Sequence, residues 1–165
     1  MSPLPSEPRK GRLQRGSGVP EGAPRVAVFC RHGGAAWRSP LDNRELSHAL
    51  AAMCAAAGRH GRPVEAVDVY LLTDAAMARA NARHLGCAGP TNVLSFPGAD
   101  GMAGILLLSL DTLHRECLFY GQEARDHLLR LLAHGMGHLA GLDHGPEMDA
   151  LAAACAAAAE TGLAR

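Results

Sequence analysis

The stretch Gln122–His144, QEARDHLLRLLAHGMGHLAGLDH, decides how the rest of the chain has to be arranged. Leu128, Leu129, Leu131 and Leu132 recur at helical spacing and form one broad apolar face, so Gln122–Leu139 reads as a helix with one side buried. Gly141 ends it, because glycine takes the left-handed backbone conformation that closes a helix at little steric cost. His134 and His138 are four residues apart, which on a helix is roughly 40° of rotation. Both imidazoles therefore leave the same face, one turn apart. The break at Gly141 turns the chain and lets His144 return toward that pair. Three imidazoles brought together this way are a candidate site for one divalent ion, with zinc the first choice.

Working outward, Arg25–Cys30 (RVAVFC) and Val64–Leu72 (VEAVDVYLL) read as strands. Leu46–Ala57 is alanine-rich with Leu and Met at helical spacing, and it ends near Gly58. Thr73 or Asp74 caps a second helix running to about Leu85, since a short oxygen side chain satisfies free N–H groups of the first turn. Gly86–Pro90 breaks it. Thr91–Phe96 is a short strand closed by Pro97, which cannot donate to a ladder, so this strand belongs at a sheet edge. Gly104–Leu110 is a continuous apolar run, as expected of a strand buried on both faces. A last helix follows Pro146. No internal repeat is present, and strands interleaved with helices imply one layered domain over residues 25–165. Residues 1–24 are rich in Pro, Gly, Ser and basic side chains, the composition of a flexible tail.

The bulk composition narrows the class of function. The 165 residues are enough for one core without disulfide staples. Aromatics make up only 4%, so that core rests on Leu, Val and Ala. Sixteen basic and sixteen acidic residues cancel, which removes any argument for nucleic-acid binding from bulk charge. The five cysteines are scattered without a CxxC pair, as in reduced, mostly buried thiols of a cytoplasmic protein. The start lacks the apolar stretch of a signal peptide, and no run is long enough to span a membrane.

The spacing HxxxHxxGxxH is that of metzincin peptidases, whose three protein ligands leave a coordination position open for chemistry. Those enzymes place a general-base glutamate directly after the first histidine, and here that position is Gly135. Proteolysis is therefore not expected. Met148 reads as a core residue of the last helix rather than a counterpart of the metzincin methionine. His32, His48, His60, His84 and His114 show no comparable spacing. His127 precedes His134 by two turns and is a candidate for supporting the ligands from behind.

Two stretches together resemble a known family. Thr91–Pro97 (TNVLSFP) followed by His134-Gly135-x-x-His138-Leu139-x-Gly141-x-Asp143-His144 looks like the bacterial YbeY proteins, metal-dependent endoribonucleases also called rRNA maturation factors. The likeness runs from about Val64 to the C-terminus. It implies an α+β fold, a single compact domain with a small mixed sheet packed by helices and the metal site on a helix and the turn after it. It implies that His134, His138 and His144 hold a zinc ion, and that TNVLSF supplies an edge strand beside the metal cleft. The implied activity is hydrolysis of single-stranded RNA by a metal-activated water, in rRNA maturation and ribosome quality control in the cytoplasm. RNA and the small ribosomal subunit are the implied partners, with no membrane and no DNA.

The chain also departs from that pattern. Family members usually carry an arginine six residues before the TNVLSF threonine, where this chain has Leu85, with Arg83 the nearest arginine. The acidic residue common before the second long strand is replaced by Ala103-Gly104. Asp143 is a candidate proton acceptor or a partner that orients a ligand, Arg83 a candidate substitute for the missing arginine, and Asn92 and Ser95 candidates for the substrate edge. The alternative is a ribosome-associated assembly factor whose metal serves folding more than catalysis.

Overall fold

The computed structural model describes residues 23–30 and 39–164. The tail expected over residues 1–24 lies, but for its last two residues, outside them. The elements run β1 (Arg25–Cys30), α1 (Asn43–Arg59), β2 (Ala66–Leu72), α2 (Asp74–Leu85), β3 (Val93–Phe96), β4 (Gly104–Ser109), α3 (Leu110–Tyr120), α4 (Ala124–Leu139) and α5 (Pro146–Leu163). The sheet order is β1-β2-β4-β3. The first three of these strands pair in parallel, and β3 pairs antiparallel with β4, Val93 opposite Leu108 and Ser95 opposite Leu106. The fold is α+β with a small mixed sheet, and the TNVLSF strand is its edge, as Pro97 required.

One sheet face carries Val67, Val69, Leu71, Leu106 and Leu108, all fully buried. Helix α1 packs on β1, α4 packs on β3 and β4, and α5 lies against α1 and α4. Each leucine buried this way contributes roughly 1.5–3 kcal/mol relative to exposure. The other face is closed less completely. Phe96, in register with Ile105, meets His84 of α2 with ring centroids 5.0 Å apart. Ile105 and Leu107 are only partly buried there, so β4 is sealed on one face rather than both.

Two helix starts show what the local sequence contributes. Helix α1 begins three residues before the expected Leu46, because Asp42 and Glu45 form a reciprocal capping box, each carboxylate accepting from the other's N–H at 2.8 Å. Helix α3 has no counterpart in the sequence reading. Ser109 ends β4 and caps α3 at once, its hydroxyl accepting from the Thr112 N–H, while Leu110, Leu113 and Cys117 form a narrow buried stripe. The exposed Leu118, Phe119 and Tyr120 blur that stripe in the sequence.

Asp74 ties the starts of α2 and α3 together. Its carboxylate accepts from the Ser109 hydroxyl (2.6 Å), the Thr112 hydroxyl (2.6 Å) and the Arg115 guanidinium (2.8 Å), while its own N–H donates to Asp111. Desolvation pushes this carboxyl up, but the three donors and the Arg115 charge outweigh it and hold the group below its ordinary 3.8. A depressed folded-state value gives stability that is present above the unfolded value and lost as pH falls. The difference in urea midpoint between wild type and Asp74→Ala should accordingly shrink as pH falls below about 4, the unperturbed Asp value.

Candidate metal centre

His134 and His138 occupy the last two turns of α4, and the turn that follows is closed by its own backbone. Gly141 takes φ 79°, its N–H donates to the His138 carbonyl (2.9 Å), and the Leu142 N–H donates to the Gly137 carbonyl (3.1 Å). This is the Schellman arrangement, in which a left-handed residue satisfies the last free carbonyls of a helix. Leu142 is buried and anchors the turn to the core. His144 emerges two residues later, exposed, with its ring 5.2 Å from His134 and 4.9 Å from His138.

One ligand-capable nitrogen from each of the three rings lies within 4.8 Å of the other two. A tetrahedral zinc with bonds of about 2.0–2.1 Å needs nitrogens roughly 3.4 Å apart, within reach of small side-chain rotations. His138 Nδ1 faces the Leu142 carbonyl at 3.0 Å; a carbonyl only accepts, so Nδ1 carries the hydrogen and Nε2 keeps its lone pair. The His134 pKa is lowered by burial first, then by the neighbouring His138 and His144, with Asp149 opposing. All three observations fit a group that could hold a metal ion in its neutral, ligating form.

Two glycines set how closely α4 is held. A Cβ on Gly135 would stand 2.7 Å from Leu106 Cδ2 and 3.2 Å from Ser95 Oγ, so the sheet occupies the space where a peptidase carries its glutamate. A Cβ on Gly137 would stand 2.9 Å from Met148 Cγ. Met148 is a buried core residue of α5, as its place in the sequence suggested.

The histidines open into a cleft of about 710 Å³ between the end of α2, β3 and the turn after α4. Thr91, Asn92, Ser95, Asp143 and Leu85 line it, whereas Arg83 lies exposed on α2 and is not among its lining residues. The hydrogen of His138 Nδ1 goes to the backbone of Leu142 and not to Asp143. Asn92 uses its carboxamide within the protein, accepting from the Val93 N–H (2.8 Å) and donating to Glu116 (3.1 and 3.3 Å). His127 bonds Glu116 at 2.7 Å instead of supporting a ligand histidine. Sequence reasoning missed Glu116, which sits on the unassigned helix α3, and Cys87, an exposed thiol on the cleft wall with no motif around it.

The family described as "Endoribonuclease YbeY" matches residues 37–155, a span that takes in α1 to α4, the first part of α5 and all but the first strand. The chain belongs to the YbeY family. The match also reaches upstream of Val64 and includes α1, beyond the part that the two motifs covered. A YbeY protein of Nitratidesulfovibrio vulgaris named as an endoribonuclease is 46% identical, covering 76% of this chain and 89% of the relative. Another, from Oleidesulfovibrio alaskensis, is 39% identical over 75% of this chain and 86% of its own. In structure the chain is similar to TM1509 of Thermotoga maritima, solved in solution, with a TM-score of 0.58 at 19% identity over 82% of this chain and 89% of that one. That likeness is one of fold.

The lowered His134 pKa has a measurable consequence. Between that value and the unfolded 6.5 the folded chain binds fewer protons than the unfolded one, so metal-free stability should rise with pH through this range. Thermal melts of the chelator-treated protein from pH 5 to pH 7.5 check it, and His134→Gln should flatten the rise.

Proposed function

We propose that this chain is a zinc-dependent endoribonuclease that cleaves single-stranded RNA, acting in rRNA maturation and ribosome quality control in the cytoplasm, with the small ribosomal subunit as partner. The observation that carries this reading is the convergence of three imidazoles on one side of an open cleft, in a chain whose family is named for RNA cleavage. Residues 25–165 form the working unit and residues 1–24 its tail. Among the described residues no helix is long and apolar enough to cross a membrane.

In this reading His134, His138 and His144 are the ligands. A divalent ion held by them supplies a Lewis acid that polarises a phosphoryl oxygen and acidifies a water. The chain's own residues do the rest. The Leu142 carbonyl fixes the His138 ring, and β3 forms a rigid wall along which the RNA strand lies. Asp143 is the acidic side chain among those lining the cleft, and with the Leu142 backbone orienting His138 it is available to accept a proton from the attacking water. Gly135 cannot take that role, and the space beside it is filled.

Purified protein should cleave a single-stranded rRNA fragment, lose the activity to a chelator and regain it with zinc. Cleavage that survives both chelation and His138→Ala would overturn the metal mechanism. Asp143→Asn should lower kcat by roughly 100-fold or more while metal content is retained. The cleft also lacks a cation where the family carries an arginine. Leu85 is 59% exposed and lines the cleft, so an arginine there disturbs no core. Leu85→Arg should tighten RNA binding and steepen its dependence on log salt by about 0.7, one added phosphate contact to a single strand.

A further inference from the structure

Asn92 stands at the start of the cleft's β3 wall, and its side chain is not free to read a substrate. Its Oδ1 accepts from the Val93 N–H, its Nδ2 donates to both oxygens of Glu116 on α3, and its carbonyl accepts from the Ser109 N–H at 2.9 Å. Glu116 in turn accepts from His127 Nε2 on α4 at 2.7 Å, with the His127 side chain only 12% exposed. Behind it, the Arg130 guanidinium lies 3.5 Å from His127 Nδ1 and donates to Gln122 at 2.6 Å. Every link in this chain has one sense. Arg130 faces Nδ1, so Nε2 carries the hydrogen that Glu116 accepts, and the same carboxylate takes the Asn92 amide.

We propose that Glu116 and His127 are positioning residues for the RNA cleft, holding Asn92 and with it the β3 wall in fixed register opposite the three histidines. Neither residue lines the cleft, and neither touches the ligand rings. They act through Asn92, which Glu116 on α3 holds directly and His127 on α4 reaches through Glu116. Helix α4 carries His127 near its start and His134 and His138 near its end, so the same helix sets the wall at one end and two of the ligands at the other. The inference rests on the reading of the cleft as an RNA site.

The hydrogen-bond senses give a test by exchange of partners. Asn92→Asp puts two carboxylates face to face, and Glu116→Gln sets an amide N–H against the other donors, so each single change breaks the chain. The double change Asn92→Asp with Glu116→Gln reverses the polarity of that one link and restores it. The amide introduced on α3 then donates to the carboxylate introduced on β3's leading edge, while its carbonyl accepts from His127. With zinc-loaded full-length protein and a fluorescein-labelled single-stranded RNA oligomer, each single variant should raise KM about tenfold, the effect of losing one hydrogen bond to a charged group. The double variant should return toward wild type, and zinc affinity should stay unchanged throughout. Amide hydrogen exchange at Val93 and Ser109 should quicken in the single variants and slow again in the double.

A double variant no better than the worse single, or a loss confined to kcat with weakened zinc binding, would overturn the proposal. His127→Gln, which keeps a donor toward Glu116, should be milder than His127→Ala; equal losses would also count against it. Should the zinc-loaded wild type leave every RNA intact, the nuclease reading falls. The exchange rates at Val93 and Ser109 still decide whether the three side chains position β3.

Discussion

At Gly141 the backbone takes φ 79° and the two hydrogen bonds of the turn close α4 against its own last carbonyls. A side chain with a Cβ meets steric cost in that conformation, so the turn depends on glycine. The position of His144 depends on the turn. Without the reversal, the third imidazole would continue along the chain and the pair on α4 would stand alone. The same turn supplies the Leu142 carbonyl that assigns the hydrogen on His138, so one backbone feature both gathers the donors and sets their chemistry.

The surroundings then make that gathering possible. Helix α4 is pressed on the sheet at Gly135 and on α5 at Gly137, each a place where a single added carbon would meet its neighbour within 3 Å. These contacts fix the depth at which His134 and His138 leave the helix. Burial first, and then the neighbouring His138 and His144, disfavour protonation of the half-buried His134. Neutral rings with free lone pairs are what a metal ion requires. On the open side, β3 is an edge strand whose wall is braced from behind through Asn92 and Glu116.

Much of this was legible in the sequence, for physical reasons that differ from element to element. The histidine spacing and Gly141 specify a helix and a turn locally, and the structure brings those three rings together. Pro97 marks the edge strand because it lacks an N–H. What escaped the sequence depends on contacts far apart in the chain. Helix α3 buries a stripe of three residues and exposes three large apolar ones, so its pattern is weak. Glu116 matters through Asn92, twenty-four residues earlier, and His127 through Glu116. The part of β4 expected to be buried stays half-open because α2 covers only some of that face, a matter of helix placement that an apolar run does not encode.

In the proposed reading three imidazoles, and no other side chains, form the metal's protein shell. X-ray absorption at the zinc edge of the loaded full-length protein tests it directly. Three imidazole nitrogens at about 2.0–2.1 Å are expected, with the remaining scatterers oxygen. A sulfur at about 2.3 Å, which would bring the exposed Cys87 of the cleft wall into the shell, or fewer than three imidazoles, would contradict it.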